Sequence, residues 1–251
     1  GAGSRSVPAL LLLVREMRPR QWSKHLILFV ALIFSKNLLN MPFLWRSAAA
    51  FAVFCLLSGI VYTINDLMDL KEDRLHEIKR RRPLASGALP PRLAVLWVAG
   101  LTVVALAAAY VIGVRFLFIS LGFLIFNLAY SLWLKNVVIL DVISISISFI
   151  IRAVAGVIAL NTLGSNLTIS PWLLVVTFFL SLFLGLCKRR HEFVSMVEAS
   201  KHRSTLDHYS EDLLNQLINM TATATLIAQS IYTIWPDTVQ HFGTDQLMLT
   251  I

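Results

Sequence analysis

Long apolar runs separated by short polar segments make up most of this chain. Each run approaches the roughly 20 residues that a helix needs to cross a bilayer, and several contain Gly and Ser, which let membrane helices pack closely. The runs predict seven membrane-spanning helices, at residues 26–40, 47–64, 93–112, 116–134, 138–160, 172–187 and 213–235. The last five residues, 247–251, predict the first turn of an eighth. The pattern therefore predicts an all-α fold, a polytopic membrane helical bundle.

The segments outside these runs divide the chain into three parts. Residues 1–4 have the composition of a cloning scar. Residues 5–23 combine a short apolar stretch with a basic edge and Trp22, which favours an interfacial amphipathic segment over a span. Residues 24–251 form the transmembrane helical domain, and we expect it to be truncated at its C-terminus because the eighth span stops after one turn.

Composition and charge support a membrane protein. The chain is 57% hydrophobic and only 14% charged, with a mean hydropathy of +0.73, whereas about a quarter of the residues in soluble domains are charged. Of its 22 Lys and Arg residues, only Lys36, Arg46 and Arg115 lie in loops predicted to be external, and Arg152 lies inside a span. The positive-inside rule predicts that the other Lys and Arg residues lie on the cytoplasmic side of the plasma membrane. The net charge of +8 therefore indicates anionic lipid and anionic substrate, with no nucleic acid partner.

Three aspartates follow the second predicted span. In a helix, Asp66, Asp69 and Asp73 would fall within roughly 60° of one another on one face, next to Asn65. Three carboxylates on one face repel each other unless a cation lies between them. Mg²⁺ fits this role because it takes oxygen ligands and prefers one or two carboxylates plus phosphate oxygens. The pattern predicts a Mg²⁺–pyrophosphate site at the membrane surface; the alternative is a solvated helix end with local ion pairs.

Other polar side chains fall on the same predicted face of the membrane. A basic run beside a membrane is usually a topogenic signal, and Tyr or Lys there can be an interfacial anchor. Beside three aspartates, a role in substrate binding is favoured more strongly, because a phosphate group needs Arg or Lys around it as well as Mg²⁺. The candidate substrate-binding residues are Arg20, Lys24, Arg80, Arg82, Tyr130, Lys135, Asp141, Lys188, Arg189, Arg190 and His191.

Arg152 is a further candidate because it lies in the middle of a predicted span. A charge at that depth costs at least about 2.5–3.5 kcal/mol on insertion scales. Such a residue faces a cavity or a partner, and Asp141, three turns earlier, is the partner that the sequence offers.

The motifs resemble those of the UbiA superfamily of intramembrane prenyltransferases. The pattern Asn-Asp-x-x-Asp-x-x-x-Asp at 65–73 and the pattern Tyr-Ser-x-x-Leu-Lys at 130–135 carry this resemblance, which extends from residue 18 to about residue 234. The resemblance implies nine helices around a cavity that opens laterally to lipid, of which this chain would supply seven and the start of an eighth. It also implies that Asn65 and the three aspartates hold Mg²⁺ on a donor's diphosphate.

One departure from the quinone-type members points to a particular branch. Those members carry a second Asp-rich motif after the sixth span, where this chain has Lys-Arg-Arg-His-Glu at 188–192. The chain is here similar to the decaprenyl-phosphate phosphoribosyltransferase branch, whose donor is phosphoribosyl diphosphate, whose acceptor is a polyprenyl phosphate and whose product feeds cell-wall arabinan in actinobacteria. The resemblance implies a Mg²⁺-dependent membrane glycosyltransferase with Asp66, Asp69, Asp73 and Lys135 in the catalytic role, and it leaves open a homo-oligomer.

Two other functions remain alternatives. One is a UbiA-type enzyme that joins a prenyl diphosphate to an aromatic acceptor, which the missing second Asp motif disfavours. The other is an anion transporter with Arg152 along its path. No pair of spans shows the matching Gly/Pro breaks of inverted repeats, and a pore does not need three clustered aspartates.

Overall fold

The regular secondary structure of the described residues is entirely helical, as the apolar runs predict. The structure is a computed structural model that describes residues 8–168, 170–199, 209–244 and 247, with side chains described only up to Val194 within the helix that ends at Ala199. No strand occurs among these residues. The α-helices are α1 (Ala9–Glu16), α2 (Val30–Phe34), α3 (Met41–Met68), α4 (Leu70–Leu75), α5 (Pro91–Ile112), α6 (Val114–Leu132), α7 (Leu140–Asn161), α8 (Pro171–Ala199), α9 (Glu211–Ile234) and α10 (Pro236–Phe242).

Five of these helices are long and apolar enough to cross a membrane. They are α3, α5, α6, α7 and the Pro171–Val194 part of α8. Helix α9 is also of membrane length, at 24 residues, but it carries more polar side chains. The prediction of a polytopic helical bundle is confirmed, and most predicted spans match a helix to within a few residues.

The first predicted span, residues 26–40, is wrong as a single helix. Pro19–Phe29 forms a 3₁₀ helix, and α2 adds only five α-helical residues after it. Lys36 then adopts a positive φ of 58°, which ends the helix. Apolar composition indicates burial, but it does not determine which helix type a segment adopts against its neighbours. The predicted eighth span lies outside the described residues except for Leu247.

The core lies between α3, α5, α6 and α7, with the 3₁₀ segment packed against α3 and α7. Phe54 of α3 is buried, and its ring lies 5.9 Å from that of Phe116 and 4.8 Å from that of Phe123. Gly156 lets α7 approach the 3₁₀ segment closely, since a Cβ there would lie 2.3 Å from the carbonyl oxygen of Leu28. This close approach brings side chains of the 3₁₀ segment next to those of α7.

Candidate active site

The aspartate motif spans two helices. Asn65 and Asp66 lie in the last turn of α3, the chain turns at Asp69, and Asp73 lies on α4. Asp66 and Asp73 are almost fully buried, while the Asp69 side chain keeps 31% of its exposure. The expectation of one continuous helix is therefore wrong, because α3 ends at Met68 and α4 begins at Leu70.

Arg82 joins the two buried carboxylates. Its Nη1 atom donates to Asp66 Oδ1 at 2.9 Å and to Asp73 Oδ2 at 2.6 Å. Arg18 also donates to Asp66 Oδ1, and Lys79 Nζ lies 3.3 Å from Asp73 Oδ1. A shared guanidinium relieves the repulsion between carboxylates that would otherwise be forced together.

The oxygens that remain fit a magnesium ion. Asn65 Oδ1, Asp66 Oδ2 and Asp73 Oδ1 are buried and accept no hydrogen bond from any described residue, since Lys79 approaches Asp73 outside hydrogen-bonding geometry. An amide and two carboxylates form an all-oxygen donor set, which Mg²⁺ prefers. Among the described residues, no three His, Cys, Asp or Glu side chains lie close enough to hold a metal by themselves. A Mg²⁺ ion bound here would therefore need substrate oxygens and water to complete its coordination.

The polypeptide before the 3₁₀ segment supports this cluster. Arg18 has a positive φ of 53° and places its guanidinium 4.8 Å from the centre of the Tyr62 ring. Glu16 is buried and accepts a hydrogen bond of 3.1 Å from the backbone N–H of Leu84, which follows Arg82 closely in the chain. Burial, and then the nearby charge of Asp66, raises the pKa of Glu16. Glu16 thereby holds the loop that carries Arg82.

Asp69 faces a second cation. Lys135, in the 3₁₀ turn Leu134–Asn136 after α6, places Nζ 3.5 Å from Asp69 Oδ2. Both groups are partly exposed, so the pair is accessible to a ligand. The motif at 130–135 and the aspartate motif, predicted to share one face of the membrane, are thus in contact.

Arg152 lies deeper in the bundle and has partners that differ from the expected one. Its Nε donates to His25 Nδ1 at 3.1 Å, and its Nη1 donates to Ser148 Oγ at 3.0 Å. Asp141 pairs instead with Arg189, whose Nε lies 2.7 Å from Asp141 Oδ2. The expectation that Asp141 is the partner of Arg152 is therefore wrong.

Lys24 precedes His25 in the 3₁₀ segment and is exposed. Protein atoms and positively charged side chains nevertheless lie near its ammonium group. Burial, followed by the charges of Lys188, Arg152 and Arg18, lowers the pKa of Lys24 to about 8.

The basic run at 188–191 separates into three environments. Lys188 is 69% exposed and only loosely paired with Glu192, at 3.8 Å. Arg189 is buried between Asp141 and Glu192, with Nη1 2.6 Å from Glu192 Oε2. Arg190 faces α9, where its Nε donates to Asn215 Oδ1 at 2.6 Å and its Nη2 to Glu211 Oε1 at 3.1 Å. Successive residues of a helix point about 100° apart, which produces this separation.

The remaining predicted residues have surface positions. Arg20, Arg80 and His191 are exposed, and Tyr130 is half-buried near the end of α6. The structure thus brings together Asp66, Asp73 and Arg82, pairs Asp69 with Lys135, and buries Arg189 against Asp141.

Sequence patterns did not identify three of the groups that shape this region: Glu16, His25 and Tyr209. Tyr209 donates to Asp141 Oδ1 at 3.0 Å and accepts from the backbone N–H of Ile139 at 2.7 Å. Burial raises its pKa to about 12, which keeps the hydroxyl protonated as a donor. A single Glu, His or Tyr without a spacing motif offers no sequence signal for such contacts.

We expect substitutions at two adjacent residues, Lys188 and Arg189, to have different effects. Lys188→Glu should weaken binding of an anionic substrate and leave the melting temperature nearly unchanged, because Lys188 is mostly exposed. Arg189→Glu should lower the melting temperature sharply, because it would bury a third carboxylate beside Asp141 and Glu192. Melts in detergent and substrate titrations of both variants test this difference; equal melting temperatures would contradict it.

Comparisons with known proteins agree with this architecture. The family model of the UbiA prenyltransferase family matches residues 25–237. The decaprenyl-phosphate phosphoribosyltransferase of Mycolicibacterium smegmatis is 31% identical over 238 residues, which cover 92% of this chain and 73% of the relative. The enzyme of the same name from Corynebacterium glutamicum is 28% identical, with 93% and 69% of the two chains covered.

A solved structure shows the same fold. A UbiA homolog from Archaeoglobus fulgidus, bound to GPP and Mg²⁺, superposes with a TM-score of 0.74 at 20% identity, over 95% of this chain and 83% of that chain. The family match covers most of the chain and includes the aspartate motif, α6, α7 and the basic run. This chain therefore belongs to the UbiA prenyltransferase family and is a multi-pass membrane enzyme of the transferase class.

Proposed function

We propose that this enzyme transfers 5-phosphoribose from phosphoribosyl diphosphate to a polyprenyl phosphate, such as decaprenyl phosphate, and releases pyrophosphate. The observation that carries this proposal is a set of cations additional to those that pair with the aspartates. A bare prenyl diphosphate presents one diphosphate, whereas phosphoribosyl diphosphate and a lipid phosphate together present two further phosphate groups. Lys24, Arg152 and Lys188 supply positive charge for them beyond the cations that pair with the aspartates. The names of the relatives from M. smegmatis and C. glutamicum support the same substrates.

Asn65, Asp66 and Asp73 would hold Mg²⁺ through the oxygens that accept no hydrogen bond from a described residue. The ion would neutralise charge on the departing pyrophosphate. Arg82, Arg18 and Lys135 would bind the pyrophosphate oxygens, which can accept hydrogen bonds from these cations as the aspartate carboxylates do. The site would face the cytoplasm, where the positive-inside rule places these cations.

The transfer exchanges one bond for another at the ribose C1. The bond from C1 to the pyrophosphate oxygen breaks, and its electron pair leaves with pyrophosphate. A bond then forms from C1 to an oxygen of the lipid phosphate, which is already anionic near neutral pH, so no strong general base is required. The cations of the site would stabilise the negative charge of pyrophosphate and of the lipid phosphate while C1 has oxocarbenium character.

A direct assay tests the proposed function. Purified enzyme in detergent is incubated with Mg²⁺, phosphoribosyl diphosphate labelled in the ribose, and decaprenyl phosphate, and the label in the organic extract is counted. We expect label in the lipid phase that depends on Mg²⁺ and on the acceptor. A matched reaction with a prenyl diphosphate and an aromatic acceptor should give no product. Product in that reaction alone would replace this proposal by prenyl transfer.

Activity should decline as the pH rises through about 8, where Lys24 loses its proton. The groups facing Lys24 are Lys188 of α8, Arg152 of α7 and Arg18 before the 3₁₀ segment, and all of them are cations that favour the neutral amine. Below this pH the ammonium is present and binds phosphate; above it the positive charge is lost. Steady-state KM values from pH 6.5 to 9.5 test this, and Lys24→Arg, which stays charged, should flatten the alkaline limb. If the alkaline limb is unchanged in Lys24→Arg, a group other than Lys24 causes the decline in activity.

A further inference from the structure

Arg152 is a buried cation within α7. It is 6% exposed, and it forms no ion pair with any residue that the structure describes. Arg18, Arg82, Lys79, Lys135, Arg189 and Arg190, in contrast, all contact carboxylates. An isolated buried charge is strongly unfavourable unless it is paired. A guanidinium kept at this depth therefore points to an anion that binds there.

Neutral groups hold the guanidinium in one orientation. His25 Nδ1 accepts from Nε, and Ser148 Oγ accepts from Nη1 while donating to Asn127 Oδ1 at 3.2 Å. The rings of Phe123 and Phe149 lie 4.8 Å and 5.2 Å from the guanidinium carbon. The remaining nitrogen, Nη2, makes no hydrogen bond to a described residue. Nη2 is therefore the part of the guanidinium that could donate to a ligand.

His25 is the group that sets this orientation. Because Nδ1 accepts a hydrogen bond, the proton of the neutral imidazole is on Nε2, which is buried and meets no acceptor among the described residues. The rings of Phe51, Phe54 and Phe123 surround it at 6.2–6.4 Å. A protonated imidazole could not accept from Arg152, so the contact requires neutral histidine. Leu28 approaches Gly156 closely, one turn beyond Arg152 on α7, and this contact keeps His25 next to Arg152.

Two lysines extend the positive region from Arg152 toward the aqueous side. Lys24 adjoins His25 in sequence, forms no ion pair with a described residue, and lies within electrostatic range of Lys188 and Arg152. Arg152 lies 11 residues beyond Asp141 on α7, about 16 Å along the helix axis. Lys24 precedes His25, which contacts Arg152 directly; both lysines are exposed, whereas Arg152 is buried.

We propose that Arg152, Lys24 and Lys188 form a second anion site, independent of metal, that binds a phosphate monoester, with His25 as the positioning residue for Arg152. This inference rests on the proposed function and deepens it. Two substrates carry this chemistry: the 5-phosphate of the donor and the phosphate of the lipid acceptor. The site binds one of these two monoesters, while the aspartate cluster binds the pyrophosphate.

Binding of simple phosphate monoesters in EDTA tests the site apart from catalysis. The probes are farnesyl phosphate, which mimics the acceptor, and ribose 5-phosphate, which mimics that end of the donor; both are titrated calorimetrically into purified protein. We expect at least one to bind the wild type without metal, and Arg152→Gln to weaken it by about tenfold or more. Preference for farnesyl phosphate assigns the site to the acceptor, and preference for ribose 5-phosphate assigns it to the donor. Failure of both probes to bind the wild type overturns the site even if the enzyme transfers phosphoribose.

Variants of His25 separate positioning from packing. His25→Leu should raise the KM of the substrate whose probe binds in EDTA by about tenfold, with no change in the Mg²⁺ concentration needed for activity. His25→Gln, whose side-chain oxygen can accept from Arg152, should restore most of the affinity. Arg46, near the start of α3, donates to the carbonyl of Ile112. Arg46→Gln controls for the loss of one positive charge. If Arg152→Gln does not fold, Lys24→Met/Lys188→Met replaces it; unchanged probe affinity in the folded variant overturns the proposal.

Discussion

Asp66→Asn should abolish turnover while the protein stays folded in detergent. The substitution keeps the shape of the side chain and its contact with Arg82, but it removes a carboxylate with a buried, unpartnered oxygen. Loss of a metal-binding carboxylate removes several kcal/mol of transition-state stabilisation, so kcat/KM should fall by at least about 100-fold. EDTA should inhibit the wild type, and Mg²⁺ should restore its activity.

The matched control for this variant is Asp237→Asn. Asp237 lies at the start of α10, which packs near α2, beside the opposite end of α3 from Asp66. The control should retain turnover with the same loss of one negative charge. Near wild-type activity in Asp66→Asn would remove the metal role of this motif, and an equal loss in both variants would indicate a non-specific effect of charge.

Arg82→Gln should reduce both stability and activity. Without the guanidinium, Asp66 and Asp73 face each other with less compensating charge. Breaking a fully buried ion pair costs about 3–5 kcal/mol, and the 29% exposure of Arg82 means that only part of this loss should appear. We also expect kcat/KM to fall by about 100-fold, because a bidentate phosphate contact would be lost. Arg82→Lys should recover only part of the activity.

Addition of Mg²⁺ distinguishes the two roles of Arg82. A divalent cation can replace the missing charge between the carboxylates, so Mg²⁺ should raise the melting temperature of Arg82→Gln more than that of the wild type. Arg81→Gln, which changes an exposed neighbour in the same basic run, serves as the control and should behave like the wild type. Equal shifts in all three proteins would show that the aspartates do not bind the ion.

Much of the architecture could be predicted from local chemistry. Backbone polar groups in lipid must be satisfied within a helix, so long apolar runs predict spans with good accuracy, as at α3, α5, α6 and α7. The predicted first span failed because the same apolar composition suits a 3₁₀ segment followed by a short α-helix. Only packing against α3 and α7 decides between these conformations.

The chain's own chemistry determined the class of this protein, the position of its aspartate motif and the excess of cations beside it, because these depend on residue types and short spacings. The tertiary structure alone decided which charges meet. Arg82 bridges Asp66 and Asp73 because α3 breaks at Asp69, and Arg189 pairs with Asp141 because α8 packs on α7. Arg152 meets His25, 127 residues away, because Gly156 allows the 3₁₀ segment to approach α7. Such contacts depend on the distance between helices, which no local pattern encodes.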